Sequence, residues 1–197
     1  MEFNLPSQIV KDLNFGDKAR NKILSGVYKL SDAVKSTLGA SGKCVIYEDA
    51  MGRPVITKDG VTVAESVVLM DPVENIGATL IKEAANNTVR EAGDGTTTAT
   101  VLASSLLTGL NEYQGEERIR SIKDGIQECY KEIVDYLDDA SIPVEGDMLK
   151  QVAYISCNNE KSLGDKIGEA FEKVGKNGVV LMEDSETNDT YVDFVEG

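Results

Sequence analysis

The run Gly93-Asp94-Gly95-Thr96-Thr97-Thr98-Ala99-Thr100 sets two glycines around one carboxylate and follows them with three hydroxyls in a row. Glycine allows close backbone approach to a ligand and unusual φ/ψ values. The apolar stretch Val101-Leu102-Ala103-Ser104-Ser105-Leu106-Leu107 comes next and is suited to a helix. A helix N-terminus offers unpaired amides and the positive end of a dipole, which attract anions. Asp94 beside a bound phosphate is suited to hold Mg²⁺ as a hard oxygen ligand. The run therefore reads as a phosphate cradle with its own metal ligand. A plainer reading stands beside it, in which Asp and Thr cap a helix that enters from a tight turn. One hydroxyl is enough for a cap, and β-branched residues are mediocre helix formers, so three threonines favour the cradle.

Two more turns carry candidate chemistry. Thr37-Leu38-Gly39-Ala40-Ser41-Gly42-Lys43 resembles a P-loop only superficially. That motif needs four residues between its glycines and Ser or Thr after Lys, whereas here two intervene and Cys44 follows. The segment is either a second Gly-rich wall, with Thr37 and Gly39 toward the ligand, or a helix C-cap and turn. Lys58-Asp59-Gly60 offers a carboxylate to orient water and a cation for phosphate charge, or is a simple turn. All three turns fall within about sixty residues, each at the end of an expected element, as a phosphate pocket is commonly assembled.

The elements that must position these turns are mostly helical. Ala19, Ile23, Val27, Leu30, Val34 and Leu38 recur at steps of three and four and predict a helix over 17–38, with Gly39 as its stop. Two β-rich runs at 44–48 and 54–57, joined by a loop containing Gly52, predict a hairpin. Ile76, Leu80, Ala84 and Thr88 predict a helix over 74–91, and the helix after Gly95 extends to about Leu110. Ile119, Ile122, Ile126, Cys129, Ile133 and Leu137 form a third stripe over 117–138. Each stripe is expected to be core or helix-packing surface. Pro143 and Gly146 mark a linker. Short helices over 146–156 and 162–174 follow, then β-rich runs at 178–183 and 190–195 with the acidic Glu183-Asp184-Ser185-Glu186 between them.

Bulk composition narrows the function classes. The 197 residues are 41% hydrophobic, which supports a real core. A net charge of −14 argues against a nucleic-acid surface. There is no histidine, so Ser-His-Asp and Cys-His catalysis within the chain are excluded. Cys44, Cys129 and Cys157 are widely spaced without a Cys-x-x-Cys, and buried reduced thiols in a cytoplasmic protein are expected. No apolar run approaches membrane-spanning length and no signal segment is evident, so no membrane association is expected.

The ordered motifs resemble the group I chaperonins, the GroEL/Hsp60 family, across essentially the whole chain. Lys11-Asp12-Leu13-Asn14-Phe15-Gly16-Asp17-Lys18-Ala19-Arg20 is similar to that family's opening strand and first helix. Asp32-Ala33-Val34-Lys35-Ser36-Thr37-Leu38-Gly39 is similar to its first nucleotide-contacting segment. Thr57-Lys58-Asp59-Gly60-Val61-Thr62-Val63-Ala64 and Ala92-Gly93-Asp94-Gly95-Thr96-Thr97-Thr98-Ala99-Thr100 are similar to its strongest signatures. Lys173-Val174-Gly175-Lys176-Asn177-Gly178-Val179 and Val195-Glu196-Gly197 match the far side. The Asp94-Gly95-Thr96-Thr97-Thr98 core also fits the group II relatives, while Phe15-Gly16 and Lys58-Asp59-Gly60 favour group I.

The resemblance implies a mainly α fold. Residues 1–140 would be the N-terminal half of an equatorial ATP-binding and ring-forming domain, and 141–197 a small α/β segment of an intermediate hinge domain. An apical domain is absent from this sequence, so a fragment of a longer chain, inactive alone as an ATPase, is expected. The implied function is ATP-dependent folding of non-native proteins in a homo-oligomeric ring, with a co-chaperonin lid as a further partner. The alternative is a truncated, non-hydrolysing ring-face module. By resemblance, Thr37, Gly39, Lys58, Gly93, Gly95, Thr96, Thr97 and Thr98 would bind nucleotide. Asp94 would ligate Mg²⁺, Lys58 would lie near the phosphates or a K⁺ ion, and Asp59 would support hydrolysis from the water side. Two stretches depart from the family pattern. Gly39-Ala40-Ser41-Gly42 replaces Gly-Pro-Lys-Gly, and Ser156-Cys157-Asn158-Asn159-Glu160-Lys161 replaces Ser-Ala-Asn-Ser-Asp-Glu.

Overall fold

The computed structural model describes residues 13–39, 41–113, 115–157, 160–175 and 178–195. Sequence readings that touch Lys11-Asp12, Ala40, Asn158-Asn159, Lys176-Asn177 and Glu196-Gly197 lie outside the described residues. The chain forms two compact units, residues 1–116 and 117–197.

The first unit orders α1 (Gly16–Lys35), β1 (Val45–Glu48), β2 (Pro54–Thr57), α2 (Gly60–Ser66), α3 (Pro72–Ala92) and α4 (Thr96–Glu112). Helix α1 supplies Val27, Leu30 and Val34 to the core, where they meet Val63 and Ala64 of α2 and Ala78 and Ile81 of α3. Ala103 and Leu107 of α4 pack against the same cluster. Full burial of a side chain such as Leu30 stabilises by roughly 1.5–3 kcal/mol. The predicted helix ends three residues early. After Lys35 the chain turns, with the Thr37 and Ser36 hydroxyls donating to the Val34 and Ala33 carbonyls, and Leu38 is exposed.

The α3 stripe is a different face from the one predicted. Val73, Gly77, Ala78, Ile81 and Ala85 are buried, whereas Ile76 and Leu80 are both 54% exposed. The reason lies in the α1–α3 crossing. A Cβ on Gly26 would collide with the Glu74 carbonyl, and one on Gly77 with the Ile23 carbonyl. Backbones this close leave no room for a side chain at Gly26 or Gly77, so the face that carries Gly77 turns inward. The rim of the crossing is ionic. Lys22 pairs with Asp71, and the Ser25 hydroxyl and Lys29 ammonium donate to Glu74 at 2.9 and 2.5 Å.

Strands β1 and β2 pair antiparallel as predicted, Ile46 opposite Ile56. Where the sequence predicts only a turn, helix α2 forms. Its seven residues are too few for a periodic signal, and Asp59 starts it as an N-cap.

The second unit holds α5 (Ile119–Ala140), α6 (Asp147–Ser156) and α7 (Lys161–Val174). Helices α6 and α7 pack closely. A Cβ on Gly164 would press on the Tyr154 backbone, and one on Gly168 on the Lys150 side chain. No residue of α5 is buried, and Ile119, Ile133 and Leu137 of its stripe are exposed. The strands expected at 178–183 and 190–195 are not formed among the described residues. A strand needs a partner for its backbone groups, and the β1–β2 pair is the only sheet among them. Val179, Leu181 and Met182 lie exposed, while Phe194 stacks under the Lys173 ammonium at 3.6 Å. The cysteine expectation is corrected too. All three are free thiols, but Cys44 and Cys129 are exposed and Cys157 is half-buried. No helix among the described residues is long and apolar enough to cross a membrane.

Candidate phosphate-binding site

The Gly-Asp-Gly run connects α3 to α4. Gly93 closes α3 at φ +77°, its amide donating to the Val89 carbonyl at 2.8 Å. Gly95 precedes α4 at φ +94°. Both values lie in the left-handed region that favours glycine, so the backbone here requires the residues it has. Asp94 is exposed between them, and one carboxylate oxygen accepts from the Gly95 amide at 2.6 Å. Gly95 has no side chain to cap α4, and no other side chain does so. Thr96 is buried, Thr97 half-buried and Thr98 exposed, so the hydroxyls fan from the core to solvent.

The Lys58-Asp59-Gly60 turn meets this loop. Gly60 is buried, and a Cβ there would collide with the Thr97 hydroxyl oxygen and lie 3.5 Å from Val34 Cγ1. The end of α1, the start of α2 and the start of α4 therefore converge on one point. Thr37 and Gly39 continue from that end of α1. Gly39 has φ +77°, and the loop folds back through Gly42 N to Gly39 O at 2.9 Å and Lys43 N to Ser36 O at 2.7 Å. Lys58, Asp59 and Gly39 are exposed.

Asp59 spends its carboxylate locally. It accepts from the Val61 amide at 3.4 Å, the Thr62 amide at 2.8 Å and the Thr62 hydroxyl at 2.5 Å. Partial desolvation pushes its pKa up, but the Thr62 hydroxyl and amide and the Val61 amide outweigh that and hold it below the ordinary carboxylate range.

The donor set is sparse and made of oxygen. No group of three His, Cys, Asp or Glu side chains among the described residues forms a cage. Mg²⁺ is commonly held by one or two carboxylates with waters and substrate phosphates. A single exposed Asp94 at an uncapped helix start fits that mode.

Two features escaped the sequence reading. One is the contact of Gly60 with Thr97, which needs the fold. The other is a hydroxyl seam between α1 and α4, where Ser31, Thr100 and Ser104 are fully buried. Lys35 Nζ donates to Ser104 Oγ at 3.4 Å, while the Ser31 and Thr100 hydroxyls have no partner. The i, i+4, i+8 spacing of Thr96, Thr100 and Ser104 was the available signal for a shared face.

Comparison with known proteins gives this geometry a context. The chain is similar to the chaperonin gp146 of bacteriophage EL, crystallised in the presence of ATP-BeFx. That match has 31% identity and a TM-score of 0.69 and covers 83% of this chain and 28% of that one. It is also similar to a group III chaperonin in the open state, with 25% identity and a TM-score of 0.67 over 82% of this chain and 34% of that one. The chain thus spans about a third or less of the chaperonin chains it matches. The model of the TCP-1/cpn60 chaperonin family matches residues 30–196, and the chain belongs to that family.

Proposed function

We propose that this chain is the N-terminal, nucleotide-binding portion of an ATP-hydrolysing chaperonin subunit, of the group I kind. Residues 1–140 serve as the first half of the equatorial domain, and 141–197 as the first segment of a hinge domain. The observation that carries the reading is the start of α4. Two left-handed glycines flank an exposed carboxylate, and no side chain occupies the helix terminus. The crystallisation of gp146 with ATP-BeFx supports a nucleotide as the anion.

In this reading the amides of Gly95 and Thr96–Thr98 and the Thr97 and Thr98 hydroxyls hold phosphate oxygens, with Gly93 shaping the turn. Thr37 and Gly39 form the opposite wall, and Lys58 brings a cation near the phosphates, beside any K⁺. Asp94 would hold Mg²⁺, which when bound neutralises phosphate charge. The subunit works in a homo-oligomeric ring in the cytoplasm. Nucleotide there shifts the ring between states that bind and release unfolded clients, with a co-chaperonin lid.

The test is titration of the purified chain with ATP, with and without Mg²⁺, alongside Asp94→Ala. Magnesium-dependent binding that the variant loses is expected. Binding indifferent to Mg²⁺ and to Asp94, or none, would overturn the reading. Phosphate release measured on an assembled ring that contains this chain separates turnover from the alternative, a non-hydrolysing ring-face module.

A further inference from the structure

Residues 190–194 meet α7 at two points. The Lys166 ammonium donates to the Thr190 carbonyl. Two turns further along, the Lys173 ammonium lies 3.6 Å from the centre of the Phe194 ring. Seven helical residues rise about 10.5 Å, and four residues reach about 13 Å when extended. The spans match an extended segment laid lengthwise on the helix, in the same direction. Exposure along the segment follows the same geometry. Val192 and Phe194 are 37% and 40% exposed, against 57% for Tyr191 and 93% for Val195. Alternate residues of an extended chain share a face, so Val192 and Phe194 are on the side toward α7.

The helix presents a matching face. Gly164 and Gly168 meet α6. At about 100° per residue, Lys166, Ala170 and Lys173 share a face turned away from those glycines. Ala170 sits between the two lysines and is buried all the same. Neither fastening is an ion pair. Lys166 ends on a carbonyl and Lys173 on a ring, although Asp189 and Asp193 are close by in sequence. The ion pair that α7 does make joins Glu172 to Lys150 of α6. A ring face attracts a cation through its quadrupole. The hold at the far end of the segment therefore depends on the Lys173 charge and the Phe194 ring together.

We propose that residues 190–194 form a charge-gated strap, closed along α7 by Lys173 over Phe194 and opened when that charge is lost. Acylation of the lysine amine is chemistry that removes both the charge and the cation–π donor. Opening bares Val192, Phe194 and the Ala170 face of α7.

Two readouts on the whole chain test this. One is the chemical shift of the Lys173 ε-protons, which a ring this close moves upfield of the other lysines. The other is the rate of chymotryptic cleavage after Tyr191, followed by mass spectrometry. Lys173→Gln and Phe194→Leu should each speed that cleavage about two- to fivefold, the factor that an exposed cation–π contact implies. Lys173→Arg keeps the charge and stacks on the ring, so it should be cleaved at the parent's rate. The double variant Lys173→Gln with Phe194→Leu should be cleaved no faster than either single one, since both break the same contact. Asp193→Asn should change nothing. Any of four results overturns the strap. They are parent Lys173 ε-protons that coincide with those of the other lysines, a parental cleavage rate in Lys173→Gln, single effects that multiply in the double variant, and a gain in Asp193→Asn equal to that in Lys173→Gln. The last would make the hold an ion pair. Lys173, Asp193 and Phe194 are exposed, so these variants are expected to fold. The parent's proton shift decides the matter without any variant.

Discussion

Helices α3 and α4 lie in the same unit, follow one another in the chain and begin in opposite ways. Asp71 caps α3, accepting from the Val73 and Glu74 amides at 2.9 and 3.2 Å while pairing with Lys22, and Pro72 opens its first turn. A side-chain cap and a proline in the first turn both close this start. Helix α4 begins from a left-handed glycine with no cap, followed by three threonines. Stability alone gives no reason to leave one start open beside one so fully closed. Helices α1, α5, α6 and α7 also lack a side-chain cap, but none follows a pair of left-handed glycines around a carboxylate. An open terminus becomes informative when the residues that would close it are replaced by residues suited to hold an anion.

The contrast can be broken most severely at Asp94. Asp94→Ala should weaken magnesium-dependent nucleotide binding by at least about a hundredfold, the upper range for losing a group that only supports a metal ligand. It should leave the melting temperature unchanged because Asp94 is exposed, so calorimetric titration and a thermal melt read the two sides separately. Next comes the crossing that holds the two starts in one unit. Gly26→Ala or Gly77→Ala should each cost about 1–3 kcal/mol in urea unfolding, since each adds a Cβ against a carbonyl of the facing helix. Their double variant should cost less than the sum, because one outward shift of α3 relieves both clashes.

The closed start should also respond to acid. Hydrogen bonds from Lys22 and from the Glu74 and Val73 amides hold Asp71 below its ordinary pKa of 3.8. The Lys29 ammonium and Ser25 hydroxyl do the same for Glu74, whose ordinary value is 4.5. A lowered carboxylate stabilises fully above its unfolded value and loses that contribution as pH falls through the folded one. Melting temperature is therefore expected to hold through neutral pH and drop below about pH 4.5, and Glu74→Gln should shrink the drop. The smallest effect has the opposite sign. Thr100→Val and Ser31→Ala each remove a buried hydroxyl without a partner, and should be neutral or stabilising by up to about 1 kcal/mol.

Much of the first unit was legible in the chain because long helices advertise their period. The α1 positions Val27, Leu30 and Val34 were found, as were both strands of the hairpin and the bounds of α6 and α7 to within a residue or so. The α3 face was misread for a physical reason. The spacing of Ile76, Leu80, Ala84 and Thr88 points to one face, but the close approach at Gly77 turns the neighbouring face, with Val73, Ala78, Ile81 and Ala85, inward and leaves Ile76 and Leu80 outside. The runs at 178–183 and 190–195 suggest strands by β propensity, which describes a fit to a partner strand that neither run meets among the described residues. The Gly-Asp-Gly-Thr loop reads as candidate chemistry because its residue types are poorly explained by helix formation alone. Its contact with Gly60 joins residues nearly forty positions apart and could not be read from spacing.

The exposed side chains of Val179, Leu181 and Met182 have a practical consequence. A bare β-prone segment is the kind of surface that recruits copies of itself into aggregates. Here it leads directly into Glu183, Asp184 and Glu186, whose like charges repel a second chain approaching in register. That repulsion acts through solvent and weakens as the Debye length shrinks from about 10 Å at 0.1 M salt to about 3 Å at 1 M. Concentrated stocks of this chain should therefore keep best in dilute buffer, and salt should shorten their shelf life.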